Sequence, residues 1–279
     1  MAEQDAARFR VGSPVRRPLV RSTLASTILT AALLTVVLCL APGATAASGA
    51  ELTVLCSNGL KAVMEELGPR FERDTGHTLV VRFGLAAALK ARIDAGEPFD
   101  LVVLTPALLD DLVSKRAVAP VAPDARSVIG RSGLGLFIRA GQPKPDIATT
   151  ATFTRAILEA PSITYAKEGA SGVYFAGLVR TLGIADRLGP KTRLAASGDE
   201  VGQAVARGDA ALGVLPLSEI LPVGGVELVG MFPPDIQSYI VMAGGVSTQA
   251  SNGGVARAFL DFLQSPAVLP VITAKGMAR

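Results

Sequence analysis

Short runs of Val, Leu and Ile alternate with segments whose apolar residues recur at helical spacing, and this alternation constrains the fold more than any other feature. Residues 52–56 read as a strand, and Leu60, Val63, Met64, Leu67 and Phe71 then form one apolar stripe of a helix. Thr75-Gly76 stops that helix. A strand over 78–83, a helix over 86–95 ended by Gly96, a strand over 101–104 and a helix opening at Pro106 follow. From 116 to 132 the pattern lapses into a loop bearing Pro, Gly and Ser. It restarts with strands over 134–138, 163–165, 192–194 and 212–215, separated by helices over 153–159, 173–182 and 201–206. A strand over 226–229 and a loop around Pro233-Pro234 lead to a last strand over 238–242. The closing helix carries Val255, Phe259, Phe262 and Leu263 on one face, with Asn252 as its N-cap. Strands alternating with helices imply parallel pairing and an α/β sheet flanked by helices. Two such blocks joined by two irregular crossings predict two lobes, 51–131 with 236–279 and 132–235. The closing helix has no partner of its own, so it is expected to pack back on the first lobe.

The first fifty residues carry a different signal. Arg8, Arg10, Arg16, Arg17 and Arg21 precede an apolar stretch from Leu24 to Leu40, which Pro42-Gly43 break before small residues at Ala44-Thr45-Ala46. Basic, apolar and small-residue regions in that order predict a secretory signal peptide over 1–46, cleaved near Ala46, and a periplasmic mature chain. The alternative is an uncleaved anchor, since such a run almost spans a bilayer. Cys39 follows Val37-Leu38 rather than small residues, which argues against lipidation. The 27 Lys/Arg less the five in the leader, and the 24 Asp/Glu less its two, leave 22 of each. The basic balance thus belongs to the leader, and nucleic acid is not indicated as a partner. Cys56 alone remains, so no internal disulfide can form.

In open parallel sheets ligands gather beyond the carboxyl ends of the strands. Three turns lie there and open directly into helices: 56–59, 84–87 and 169–172. Each would point unpaired backbone N–H groups and a positive helix end into a cleft between the lobes, which suits an anion without any cationic side chain. Ser57, Asn58 and Ser171 could add directional hydrogen bonds. The plainer reading is that these residues only cap helices. His77 precedes its strand, at the amino end of the sheet, and is expected to be a surface turn residue. Cys56 is expected to be buried and inert. Asp110-Asp111 are read as helix-start acids that favour the dipole, not as metal ligands. No metal-ligand spacing, Ser–His–Asp set or P-loop is present in the sequence.

Taken together, several blocks resemble the molybdate-binding family of type II periplasmic solute-binding proteins. They are the strand–turn–helix of 52–60, the stretch 83–93 leading into 94–100, the helix opening at 171–174, residues 207–213 before a strand, and 252–264. The resemblance covers about 52–277. It implies a two-lobed Venus-flytrap fold in which neutral donors hold an oxyanion between the lobes. It also implies a permease of an ABC importer as membrane partner. Gly59 stands where the family's first turn carries a serine, with Ser57 and Asn58 as nearby substitutes. In the second turn, beside Leu85, the usual serine falls on Ala86 or Ala87, which keep only the backbone donor. Ser171 and Gly172 match the third turn, Val201 a further backbone donor, and Pro216 replaces the usual tyrosine. Losing two or three hydrogen bonds, each worth about 1.5–3 kcal/mol toward a charged ligand, would weaken oxyanion binding by orders of magnitude. An organic acid paired by Arg82, Lys167 or Arg193 is therefore the alternative ligand.

These readings converge on an exported, monomeric binding component that takes a small anion. No catalytic residue, metal or cofactor is expected. An exported enzyme or a surface adhesin on the same scaffold are the competing classes.

Overall fold

Nine strands and ten helices build the part of the chain that the computed structural model describes, residues 49–120 and 127–279. The leader read as a signal peptide lies outside the described residues. In chain order the strands are β1 (Glu51–Ser57), β2 (Thr78–Gly84), β3 (Leu101–Leu104), β4 (Val128–Arg139), β5 (Ile163–Ala166), β6 (Thr192–Ala195), β7 (Leu212–Pro216), β8 (Val226–Met231) and β9 (Tyr239–Val246). The helices are α1 (Lys61–Thr75), α2 (Ala86–Asp94), α3 (Pro106–Ser114), α4 (Thr150–Glu159), α5 (Ala170–Thr181), α6 (Ala185–Leu188), α7 (Gly198–Arg207), α8 (Leu217–Ile220), α9 (Gly253–Gln264) and α10 (Leu269–Ala274).

The sheet runs β2-β1-β3-β9-β4-β7-β5-β6, with β8 also paired to β4. Its two flanks are the parallel runs that strand–helix alternation demands: β1 with β2 and β3, and β5 with β6 and β7. The middle differs. β9 lies antiparallel to β3, and β4 is antiparallel to β9, β7 and β8. The first part of β4 pairs with β9 and its second part with β7 and β8, so one continuous strand belongs to both halves of the sheet.

That is why β4 starts at Val128, six residues before the apolar run that marks it in the sequence. Gly130, Ser132 and Gly133 look like loop residues, but their backbone pairs with β9. A Cβ at Gly133 would fall 2.5 Å from the Met231 methyl, so a crossing chain fills the space a side chain would need. β9 likewise runs on through two glycines to Val246. α4 begins three residues early, at Thr150. There the Thr149 hydroxyl accepts from the Thr152 N–H at 3.1 Å and the Thr149 N–H donates to the Thr152 hydroxyl at 3.0 Å.

Two local expectations change. α3 has no acidic residue in its first turn, because it starts at Pro106 and places Asp110-Asp111 beyond the reach of its N-terminus. Asp111 instead pairs with Lys90 of α2 at 2.7 Å and with Lys115 at 3.0 Å. Asn252 stands at the N-cap of α9 without capping it, and its amide donates to the Glu51 carbonyl at 3.0 Å.

The main core is aliphatic, with phenylalanines at its densest points. α9 and α10 close over α1, where the Phe259 and Phe71 rings lie 4.7 Å apart. Asp100 is buried and ties this corner together, accepting from the Thr53 N–H at 2.8 Å. Phe259 is fully buried, so Phe259→Ala is expected to cost about 3–5 kcal/mol in urea denaturation, through lost transfer energy and an unfilled cavity.

Candidate functional site

The carboxyl ends of the parallel strands meet around one cavity of about 30 Å³. β1 contributes Ser57 and the following Asn58, and β2 leads to Leu85 and Ala86. β3 leads to Thr105, and β5 ends in Ala166 before Gly169, Ala170 and Ser171. β7 supplies Leu215 and Pro216, α7 Gly198, α8 Glu219, and β9 Ile240 and Met242. The three turns singled out in the sequence therefore face one space, and they come from both flanks of the sheet.

Helix starts line that space because each strand ends in an extended residue that turns straight into helix. Leu85, Thr105 and Gly169 have extended N-cap backbones, and no side chain caps the helix that follows. The first N–H groups of α2 and α5 thus lack a side-chain acceptor, whereas α3 opens on Pro106, which has no N–H, and its Leu108 N–H bonds the Thr105 carbonyl at 3.1 Å. α5 sits unusually close to β5. A Cβ at Gly172 would fall 1.8 Å from the Ala166 carbonyl oxygen, so only glycine lets the helix start approach this strand end. Ser57 and Ser171 are 5% and 4% exposed, and neither hydroxyl bonds another described residue. Both residues line the cavity, where a guest can reach a hydroxyl that either donates or accepts.

Six of the ten residues picked from the sequence line the cavity: Ser57, Asn58, Leu85, Ala86, Ser171 and Pro216. Gly59 lies behind it, where its carbonyl accepts from the Ser218 hydroxyl at 3.0 Å. Ala87 faces outward, and Gly172 is pressed against Ala166. Val201 is a correction. Because α7 starts three residues earlier than its apolar pattern shows, the Val201 N–H bonds the Ser197 carbonyl inside the helix, and Gly198 takes the place at the cavity. The first turn of α7 is also already capped, since the Ser197 hydroxyl accepts from the Glu200 N–H at 3.2 Å. The cations proposed to pair an organic acid are elsewhere. Arg82 pairs with Glu97 at 2.8 Å, Lys167 is exposed, and Arg193 lines a separate, larger pocket of about 660 Å³ beside Arg139 and Ser162.

Two polar residues at the cavity escaped the sequence reading. Thr105 brings a hydroxyl that caps nothing. Glu219 brings a carboxyl: a Cβ at Gly198 would fall 2.0 Å from its Oε2, and one at Gly59 3.8 Å from its Oε1. Loss of hydration, reinforced by the nearby Asp199 charge and opposed by Lys61, pushes this carboxyl up to about 7. Lys61 and Asp199 themselves join α1 to α7 at 3.1 Å.

The other reactive-looking groups are accounted for. The Cys56 thiol is fully buried, donates weakly to the Ser57 carbonyl at 3.5 Å, and is pushed up by desolvation, which leaves it unreactive. His77 lies away from the cavity, where its Nδ1 accepts from the Ala50 N–H at 3.0 Å. Among the described residues no group of three or more His, Cys, Asp and Glu is placed to hold a metal ion.

The sequence profile of the family described as bacterial extracellular solute-binding protein matches residues 52–278. The chain belongs to that family. Among its relatives, the aconitate isomerase of a Pseudomonas species is 32% identical over 235 residues, covering 81% of this chain and 87% of the relative. The molybdate-binding protein ModA of Azotobacter vinelandii is 25% identical, covering 84% and 92%. The solved structure of the periplasmic molybdate-binding protein of Azotobacter vinelandii superposes with a TM-score of 0.68 at 21% identity, covering 82% of this chain and 99% of that one. The resemblance read from the sequence is thus to the right family and the right fold. Its extracytoplasmic setting agrees with the compartment expected for the mature chain.

Glu219 makes a measurable signature in this solute-binding protein. Its folded form binds a proton more tightly than the unfolded chain, whose glutamate titrates near 4.5, so stability declines as pH rises from about 4.5 to about 7. Glu219→Gln is expected to flatten that decline, read as the melting temperature of the ligand-free protein between about pH 5 and about pH 8.

Proposed function

We propose that this chain is the solute-binding component of an ABC importer and holds a small anion in the cavity between the two flanks of its sheet. The observation that carries the reading is the convergence on one enclosed space of three uncapped helix starts and the hydroxyls of Ser57, Thr105 and Ser171. Helix starts and neutral hydroxyls stabilise negative charge without a cationic side chain. The size of the space supports a small guest. About 30 Å³ exceeds the roughly 10–15 Å³ that one water requires and falls far short of the roughly 300–1,000 Å³ of pockets for larger organic ligands.

Release to a permease needs a second, open form, and the connections across the site suit one. The two lobes expected from the sequence would share β4 and β9 as their crossing strands. They would separate by losing the Ser218–Gly59 hydrogen bond and the Lys61–Asp199 pair. A ligand that touches both sides favours the closed form and so couples loading to shape. In a thermal-shift series with molybdate, sulfate, phosphate, citrate and trans-aconitate, at least one anion is expected to raise the melting temperature. Ser57→Ala and Ser171→Ala are each expected to weaken that anion by about 10- to 150-fold, the equivalent of one hydrogen bond to a charged group. No shift with any of the five at millimolar concentration would sink the reading.

A second reading, turnover of an unsaturated organic acid in an opened, wider form of the cavity, is favoured by the 32% identity to an aconitate isomerase together with the carboxyl of Glu219 in the cavity. A carboxyl pushed up to about 7 can take up and return a proton near neutral pH. Incubation of the protein with trans-aconitate, followed by proton NMR for a second isomer, tests it. An unchanged spectrum leaves binding as the function.

A further inference from the structure

Glu219 contradicts the rest of its surroundings. Everything else that lines the cavity is a backbone donor, a neutral hydroxyl or amide, or an apolar surface, and Glu219 alone brings an acid. Its carboxyl lies against Gly198 at the start of α7 and near Gly59. No described residue donates a hydrogen bond to it. The charged groups around it are Lys61 and Glu65 on α1 and Asp199 on α7, which line with it the neighbouring pocket of about 390 Å³. Lys61 is engaged with Asp199 rather than with Glu219. An acceptor with no donor among the described residues stands where the guest would lie, so a hydrogen on the guest would find a partner there.

We propose that Glu219 makes the cleft select an anion that carries its own acidic or hydroxyl hydrogen, such as hydrogen phosphate or a hydroxy acid, over one with bare charge on every oxygen. This rests on the anion-binding reading above and narrows it to a ligand class. The guest's charged oxygens would face the helix starts and serine hydroxyls, while its O–H donates to the Glu219 carboxylate. An anion without such a hydrogen can enter only if Glu219 is first protonated and acts as the donor. Its binding then takes up one proton and fails as the medium becomes alkaline. The raised titration of Glu219 places that change near neutral pH.

Isothermal titration calorimetry of the purified protein with sulfate and with phosphate, at about pH 6 and about pH 8 and in buffers of different ionisation enthalpy, tests this. Sulfate is expected to bind with uptake of about one proton at about pH 8 and of only about a tenth of one at about pH 6, and to lose about tenfold in affinity over that interval. Phosphate, still singly protonated at the higher pH, is expected to bind at least about tenfold tighter than sulfate there. Glu219→Gln is expected to abolish both the proton uptake and the pH dependence for sulfate and to narrow the preference for phosphate. Proton counting on the unaltered protein decides the matter even where the variant does not fold. Sulfate binding equally at both pH values without proton uptake, or tighter than phosphate at the higher pH, overturns the proposal and leaves the anion site standing. Failure of sulfate and phosphate, with molybdate, citrate and trans-aconitate also giving no heat, overturns the anion reading and this proposal together.

Discussion

The first N–H groups of an α-helix have no partner inside it, and three of the helices that no side chain caps start at strand ends around one cavity. That local deficit organises the molecule. A parallel strand must return through a helix, so every β–α unit ends its strand and begins its helix on the same edge of the sheet. When two runs of such units face each other, their donor-bearing ends surround a common space. The chain could have closed these ends with Ser, Thr or Asp caps, as Thr149 does for α4 and Ser197 for α7. At α2 and α5 it uses Leu85 and Gly169, which offer no acceptor, and at α3 the Thr105 hydroxyl does not cap. Other helices, α1 and α9 among them, also start without a side-chain cap, so what sets α2, α3 and α5 apart is their convergence on one cavity.

A cavity built this way needs its two sides held in register yet separable. Ser132, on the strand shared by both flanks, donates to the Gly276 carbonyl at 2.9 Å and accepts from the Ser218 N–H at 3.0 Å. Ser218 in turn donates to Gly59 behind the cavity. These are short, neutral, buried links, each worth about 1 kcal/mol net. The Lys61–Asp199 pair is largely solvated, and such pairs add little. Contacts of that size can hold a closed form without locking it, which a carrier that must reopen requires.

Most of this was legible in the sequence because hydrophobic period reports burial directly. β1, β3 and α1 are placed to within about a residue or two by their apolar residues alone. The errors have one physical origin: contacts made by residues that carry no apolar signal. β4 is extended over Gly130 and Gly133 because its backbone pairs with β9, about a hundred residues away. α7 begins at Gly198 because Ser197 caps it, and that shift moves Val201 from the cavity into the helix. Thr105 and Glu219 were missed for the same reason. Thr105 directly follows β3 and Glu219 comes three residues after β7, near strand ends as Ser57 and Ser171 are, but a threonine before Pro106 reads as a turn and a glutamate in a short helix reads as solvated. Applying the rule that ligands gather at strand ends to every strand, not only to those followed by glycine, would have found both.

The absence of a cation among the described residues at the cavity and the presence of Glu219 bear on the same choice. A site built to hold a fixed double charge gains from arginine or lysine, whose hydrogen bonds to an anion are the strong ones. Here Arg82, Lys167 and Arg193 all lie away from the cavity, and Lys61 is held by Asp199. Backbone donors and hydroxyls alone favour a modest, diffuse negative charge. A carboxyl within the same walls lowers the tolerated charge further, because like charges repel at close range. The same carboxyl accepts a hydrogen bond well, so the walls reward a guest that is negative at one end and a donor at the other. Polarity of that kind would fix orientation as well as identity: the guest's charged end would face the starts of α2, α3 and α5, and its hydrogen-bearing end would face α8.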